Sequence, residues 1–524
     1  MKDRSDAVLE VMRDRAGVVF RAIRNKADVA FRAVEDRNSA VFGAVKDGIG
    51  AVFGAMRDGT GAAFGPWSIE KQKQGVKAVI VSFISLGCDK NRVNTEQMMA
   101  LCLQEGITVQ EDCNGSDVVV INTCGFIDSA KSEAIDTILA AAELKAEGEI
   151  KKILVTGCLS QRYQADILEE LPEIDGIMGT GSFGDIVAAL EQVMSGQECR
   201  HFGDINAPVE ELPRVLSTPK QYAYLRIAEG CSNRCAYCVI PSLRGNYRSR
   251  RMKDILQEAR ALAQDGVKEC IVIAQDITRY GMDLYGERKL PELLRELCKL
   301  PFHWVRLHYL YPDNISDDLI DTIAEEKKIC KYLDIPIQHC NDQVLKAMRR
   351  RETKTGLEQL FARLRQRIPG VVLRTSLITG LPYEDEAAFE ELCSFLREQK
   401  IERAGAFPYS PEEGTPAAKM LNRVDGEEAR HRAELIAQVQ SQVMDEFNDS
   451  RMGETVEVLC DGYDSQAMAY VGRSGAESPG IDGCIYFTGE EDVNPGDFVM
   501  VRVTGTMDGD LTGEAVTTEK NKEE

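Results

Sequence analysis

Residues 222–241 read YAYLRIAEGCSNRCAYCVIP. An alternating, strand-like run over residues 222–230 passes directly into three cysteines, Cys231, Cys235 and Cys238, within eight residues. A structural zinc site takes four ligands, usually from paired CxxC knuckles. Three thiols with no fourth at matching spacing suit a 4Fe-4S cube, whose remaining iron stays open to a substrate or cofactor. Zinc and chance clustering are the competing readings. A loop that follows a strand is where a barrel built of βα units carries its chemistry.

Working outward, the same strand-then-helix rhythm recurs downstream at ECIVIAQD (269–276), HWVRLHYL (303–310), YLDIPIQH (332–339), VVLRTSLITG (371–380) and RAGAFPYS (403–410). Six strand candidates predict a barrel or partial barrel of βα units over 217–448. A charged helix ends near Asn448, and residues 453–514 turn to short β runs broken by Gly and Asp, which predicts a small all-β barrel within a domain at 449–516. Upstream, AVIVSFISLG (78–87), DVVVINTCGF (117–126) and KKILVTGCL (151–159) alternate with helical stretches, so residues 76–205 form an α/β unit on a parallel sheet. The segment HFGDINAPVEELPRVLSTPK (201–220), with three prolines, reads as a linker.

These upstream runs hold a second thiol pattern. Cys88, Cys124 and Cys158 each stand at the end of an apolar run, and two of them follow a glycine. A single cysteine there is ordinarily a small buried hydrophobe. Three repetitions on parallel strands bring the thiols to one sheet edge, in the crevice where α/β folds bind ligands. The other ten cysteines lack this placement. His339, in IPIQHC, reads as a hydrogen-bonded barrel residue, because the five histidines show no ligand spacing.

The chain has 524 residues, 44% hydrophobic and 28% charged, which fits a soluble multidomain protein and excludes disordered and collagen-like classes. No apolar run approaches the 18 residues of a membrane span, and the start lacks a signal-peptide core, so a cytoplasmic location is expected. Sixteen cysteines in such a chain point to metal or redox chemistry rather than disulfides. The net charge of −22 makes nucleic acid a poor default partner.

Residues 1–75 stand apart. Phe20, Phe31, Phe42, Phe53 and Phe64 recur every 11 residues, a period that keeps an apolar stripe on one face of a helix. The pattern fits an amphipathic arm that lies on a membrane surface or self-associates. Seven glycines between Gly43 and Gly65 weaken its last third as a helix, and an appended low-complexity arm with no part in the chemistry fits equally.

CxxxCxxC behind a strand, with Tyr237 before the last cysteine, resembles the radical S-adenosylmethionine enzymes. Together with the three upstream cysteines and the small β domain, it is similar to the methylthiotransferases, whose last domain is called TRAM. The resemblance covers residues 76–516. It implies a Rossmann-like N-terminal domain, a partial TIM-type barrel and a TRAM barrel. It also implies two 4Fe-4S clusters, on Cys231, Cys235 and Cys238 and on Cys88, Cys124 and Cys158, with S-adenosylmethionine cleaved at the first and sulfur handled at the second. Tyr237, Gln275, Arg306, Ser376 and Gly380, near predicted strand ends, are the candidate contacts of S-adenosylmethionine, Arg306 through its planar fork.

Within that family, ISLGCDKNRVNTE, IAQDITRYGMDLYG, WVRLHYLYP, YLDIPIQH and VGRSGAESPGIDG resemble the branch that β-methylthiolates an aspartate of small-subunit ribosomal protein S twelve. The tRNA adenosine methylthiotransferases are the alternative. An electron donor such as flavodoxin or ferredoxin is implied as a partner, and nucleic acid is not expected as the direct substrate. Asp89, Asn94, Thr95, Tyr383 and Gly480 depart from the usual pattern. From Arg451 to Glu514 there are 3 basic and 13 acidic residues, a surface suited to a basic protein rather than to RNA. Asp461 and Asp464 are expected in an exposed loop of this acidic domain.

Overall fold

The computed structural model describes residues 79–489 and 492–516; the 11-residue repeat lies outside them. The chain divides into two compact units. The first is 1–217 with 242–245, and the second is 218–241 with 246–524.

The first unit is built on a six-stranded parallel sheet: β1 (Ile80–Ser85), β2 (Thr108–Gln110), β3 (Val118–Thr123), β4 (Lys152–Gly157), β5 (Gly176–Met178) and β6 (Arg200–His201), in the order β2-β1-β3-β4-β5-β6. Every residue of β3, VVVINT, is buried, as a central parallel strand covered on both faces requires. Val119 and Ile121 pack with Ile135, Ile138 and Ile153 on one side. Val118 and Val120 pack with Met98, Leu154 and Leu190 on the other. β2, β5 and β6 are only two or three residues long, too short to leave a periodic signal, and sequence reading missed them.

The segment read as a linker is pinned to this unit. The buried Glu96 of helix Asp89–Gln104 accepts from Arg214 Nε at 2.6 Å, Ser217 N at 2.7 Å and Ser217 Oγ at 2.8 Å. Its carboxylate holds the strap by charge-assisted bonds instead of leaving it free.

The second unit carries the predicted βα repeats: β7 (Tyr222–Arg226), a short antiparallel pair β8 (Ala228–Glu229) with β9 (Arg248–Ser249), then β10 (Glu269–Ile273), β11 (Trp304–Leu307), β12 (Ile329–Asp334), β13 (Val372–Thr379) and β14 (Arg403–Pro408). The six long strands are parallel and stand in chain order, a partial barrel. After helix Gly426–Ser450, the strands β15 (Thr455–Asp464), β16 (Ala469–Arg473), β17 (Ile485–Thr488), β18 (Phe498–Met507) and β19 (Asp510–Ala515) close into a small barrel around Val458, Ile485, Phe487, Val501 and Leu511.

Residues 474–482 of this small barrel plug the partial barrel from the end where its strands begin. Glu269, the first residue of β10, takes Arg306 Nε at 2.5 Å and Arg473 Nη1 at 2.8 Å. Arg306 also donates to the Gly475 and Ser474 carbonyls, at 3.0 and 3.3 Å. Glu477 receives Arg403, the first residue of β14, at 3.0 Å, and also Arg451. Tyr332 donates to Asp482 at 2.7 Å, and Ser478 meets His308 at 2.8 Å. An apolar layer of Trp304, Cys330, Val372 and Leu459 surrounds these pairs. Charges this deeply buried persist because each is paired and hydrogen-bonded.

Candidate functional site

Parallel strands place their C-terminal ends together, and the cysteine loop leaves that edge of the second unit. β7 leads through Ile227 into β8, and Cys231 follows Glu229 after the single residue Gly230. The chain turns sharply inside the loop, with Arg234 in the left-handed region at φ 54°. Cys238 N donates to Cys235 O at 3.1 Å, and Asn233 N approaches Cys231 Sγ at 3.5 Å. All three thiols are partly exposed. They lie close enough to feel one another: burial, with a smaller push from Cys235, raises Cys231 to about 11 and Cys238 higher still.

Polar groups missed by sequence reading surround this loop. Glu229 is buried, accepting from Arg226 at 2.7 Å and from Gln275 Nε2 at 2.7 Å. Asp276, also buried, accepts from Asn233 at 2.9 Å, and Asn233 in turn accepts from Arg279 at 3.1 Å. Burial raises the Asp276 carboxyl above its ordinary value. Arg350 stacks 4.3 Å over Tyr311, whose hydroxyl lies 3.9 Å from Cys235 Sγ. These groups carry no spacing signature, because loops from separate βα units bring them together.

The candidate contacts of the cofactor separate into two places. Gln275 lies just past β10, fixed by Glu229, and its Oε1 is buried without a partner. Tyr237 is half-buried against Ala236, Val344 and Met348. Ser376, on β13, accepts from Arg374 at 3.2 Å, and Arg374 also holds Asp334 at 2.7 Å. Gly380 follows β13 at φ 77°, and a Cβ there would stand 2.4 Å from the Ala429 Cβ, so helix packing alone demands a glycine. Arg306 is the correction. Its side chain turns back along β11 toward the end where the strands begin, where Glu269 and the plug carbonyls occupy its guanidinium, and it has no fork left for a ligand carboxylate. His339 is fully buried, its Nδ1 accepting from Asn341 N at 2.9 Å and its Nε2 lying 3.4 Å from Glu384.

In the first unit, Cys88 follows β1 and caps helix Asp89–Gln104, Cys124 follows β3, and Cys158 follows β4. Glycines let these ends close up. A Cβ on Gly87 would stand 2.7 Å from the Cys124 Cβ, and one on Gly125 would stand 2.9 Å from the Cys158 backbone. Contacts that short are not available to a side chain, so only glycine permits this approach. Burial, then the neighbouring Cys158 and Cys88 thiols, push Cys124 up to about 12, against a smaller opposing pull from Arg244. Asn91 ties the edge together, its Nδ2 donating to Leu86 O at 2.9 Å and Thr123 O at 3.1 Å.

Both sets fit an iron–sulfur cluster chemically. Each offers three soft thiols, the ligand type such a cluster takes, while among the described residues no three His, Cys, Asp or Glu side chains are grouped so as to hold a metal ion as they stand. At the first set, buried atoms without partners, Gln275 Oε1, Tyr247 Oη and Arg279 Nε, surround the loop. Leaving each unpaired costs about 1–3 kcal/mol, which a bound polar cofactor would relieve. Among the described residues no helix is long and apolar enough to cross a membrane.

This fold and these thiols define a radical S-adenosylmethionine enzyme of the methylthiotransferase class. Family models match in the same order: the uncharacterized protein family UPF0004 over 80–179, the radical SAM superfamily over 225–396 and the TRAM domain over 452–516. A ribosomal protein uS12 methylthiotransferase RimO from Caldanaerobacter subterraneus is 45% identical over 83% of this chain and 99% of its own length. Another, from Pelotomaculum thermopropionicum, is 46% identical with the same coverage. The chain belongs to the RimO family of radical SAM methylthiotransferases. The solved radical S-adenosylmethionine methyltransferase TsrM from Kitasatospora setae shares the fold at a TM-score of 0.50 and 13% identity, over 65% of this chain and 77% of that one.

Proposed function

We propose that this enzyme inserts a methylthio group at the β-carbon of an aspartate in ribosomal protein uS12. The observation that carries the choice of a protein substrate is the distribution of charge on the small barrel. Of its three basic residues, Arg451 and Arg473 are buried in ion pairs with acids, so Arg502 is the one exposed cation among described residues 451–516. RNA binding draws most of its affinity from cations set against phosphates, and this surface offers almost none. The relatives at about 45% identity carry the same substrate in their names.

In this reading Cys231, Cys235 and Cys238 hold one 4Fe-4S cluster and Cys88, Cys124 and Cys158 hold the second. The clusters, when bound, supply one-electron cleavage of S-adenosylmethionine and a site for sulfur, chemistry that side chains lack. The chain's own residues orient the reactants. Glu229 fixes the Gln275 amide so that its free Oε1 can accept from the ammonium or hydroxyl groups of S-adenosylmethionine. Tyr237 and Ser376 line the same edge. Asp334 neutralises Arg374 beside Ser376. Reducing equivalents come from a small electron carrier of the flavodoxin or ferredoxin kind, and the enzyme works in the cytoplasm.

Anaerobically reconstituted enzyme, S-adenosylmethionine and reductant are incubated in parallel with purified uS12 and with tRNA. We expect about eight irons per chain, 5′-deoxyadenosine release, and one methylthio adduct on an aspartate of uS12. An adduct on tRNA adenosine with none on uS12 would reverse the assignment.

A further inference from the structure

Residues 242–245 belong to the first unit, although the chain reaches them four residues after Cys238 and returns to the second unit at Asn246. Arg244 lies at the end of helix Ile240–Arg244 and is buried. Its Nε donates to Cys158 Sγ at 3.4 Å. Nη1 donates to Asn94 Oδ1 at 2.8 Å, and Nη2 donates to Asn91 Oδ1. The guanidinium also lies 5.6 Å over the Phe183 ring. Asn91 and Asn94 belong to the helix that Cys88 caps, and Asn91 is the residue that ties the ends of β1 and β3. One rigid, planar fork thus joins the third thiol of the set to the helix headed by the first. Lysine, a point charge with no fixed geometry, cannot make that three-way contact.

We propose that Arg244 is a positioning residue for the second thiol set, locking the Cys158 sulfur against the Cys88 helix and donating an N–H···S bond to it. The proposal rests on the reading that Cys88, Cys124 and Cys158 hold a cluster. Hydrogen bonds to ligating sulfur favour the reduced, more negative cluster and raise its reduction potential, so Arg244 acts on redox poise as well as placement. None of the recognisable spacing motifs includes this arginine.

The test uses the full chain with Cys231, Cys235 and Cys238 all changed to Ala, so that only the second set binds iron. If this parent takes up no iron, the two-cluster reading itself fails, separately from the role of Arg244. In the iron-loaded parent, Arg244→Gln and Arg244→Lys are compared by iron count and by EPR-monitored redox titration. We expect both variants to titrate at a more negative midpoint than the parent, with roughly a tenfold lower ratio of reduced to oxidised cluster at fixed poise. Gln loses both the charge and the fork. Lys keeps the charge and a stem over Phe183, yet loses the contact to sulfur, so it does not rescue the midpoint. Loss of iron by a variant whose far-UV circular dichroism matches the parent also supports the positioning role. Should Arg244→Gln unfold, Arg244→Lys alone decides. A parental midpoint and full iron in the folded variants overturn the proposal.

Discussion

Two glycines set the spacing of three cysteines. Gly87 sits at φ 82°, and a Cβ there would also stand 3.1 Å from Cys124 Sγ. Gly87→Ala therefore strains the backbone and drives a methyl group into a ligand. We expect the reconstituted variant to lose about half of its iron, all from the second set, while retaining 5′-deoxyadenosine formation. An iron count equal to wild type would show that the close approach is dispensable. The sequence made the cysteines legible because each ends an apolar run. It gave no sign of Arg244, whose partners Cys158, Asn94 and Asn91 lie 86, 150 and 153 residues earlier in the same unit, and it misled at Arg306. A polar residue near a strand end resembles a pocket residue, but which end of the strand it serves depends on what fills the barrel from below. Tyr383 shows the converse. Its φ of 71° lies in the left-handed region, which glycine adopts without strain.

At the scale of elements, the long strands were legible from their β-branched runs, whereas the three shortest strands of the first sheet were not. The plug of residues 474–482 was invisible, since a loop's destination is set by partners 74 to 170 residues away. Its ion pairs carry a pH signature. Burial alone would raise the Glu269 carboxyl, but Arg306 and Arg473 outweigh it and hold it at about 2; Arg451 and Arg403 do the same for Glu477. Both values lie below the ordinary 4.5. The stabilisation is therefore complete above about pH 4.5 and disappears as the pH falls through about 2. Thermal unfolding followed from pH 5 to pH 2 should show a steep loss of stability. Glu269→Gln should start several kcal/mol less stable, about 3–5 by analogy with other broken buried pairs, and should show a shallower slope. An unchanged slope would mean that Glu269 titrates normally.

For the whole molecule, the acidic small barrel is the proposed grip on a basic protein, but two acids expected to form it are otherwise engaged. Asp461 pairs with Arg473 at 2.6 and 3.0 Å, and Asp464 accepts from Gln466 N and Ala467 N in a turn at the end of β15. Both are only partly exposed. Their strand and pairing, rather than a loop, account for the difference. Asp492 and Asp508 are exposed and serve the test better. Asp508 has a left-handed backbone at φ 48°, which Asn tolerates. The double change Asp492→Lys with Asp508→Asn should slow association with uS12 several-fold at low salt and have little effect at high salt, where charges are screened. Equal rates at both ionic strengths would remove this surface from recognition.

The plug also sets an order of assembly during synthesis. Glu269 and Arg306 leave the ribosome well before Arg473, Ser474 and Gly475, and at 5–20 residues per second the delay is roughly 8–40 s. Over that interval the partial barrel has strands but an open floor, with a charged pair facing water and the apolar layer around Trp304 uncovered. The small barrel, made after the partial barrel, is thus its stopper. A nascent chain that stalls short of residue 474 is left as a client for chaperones rather than as a smaller working enzyme.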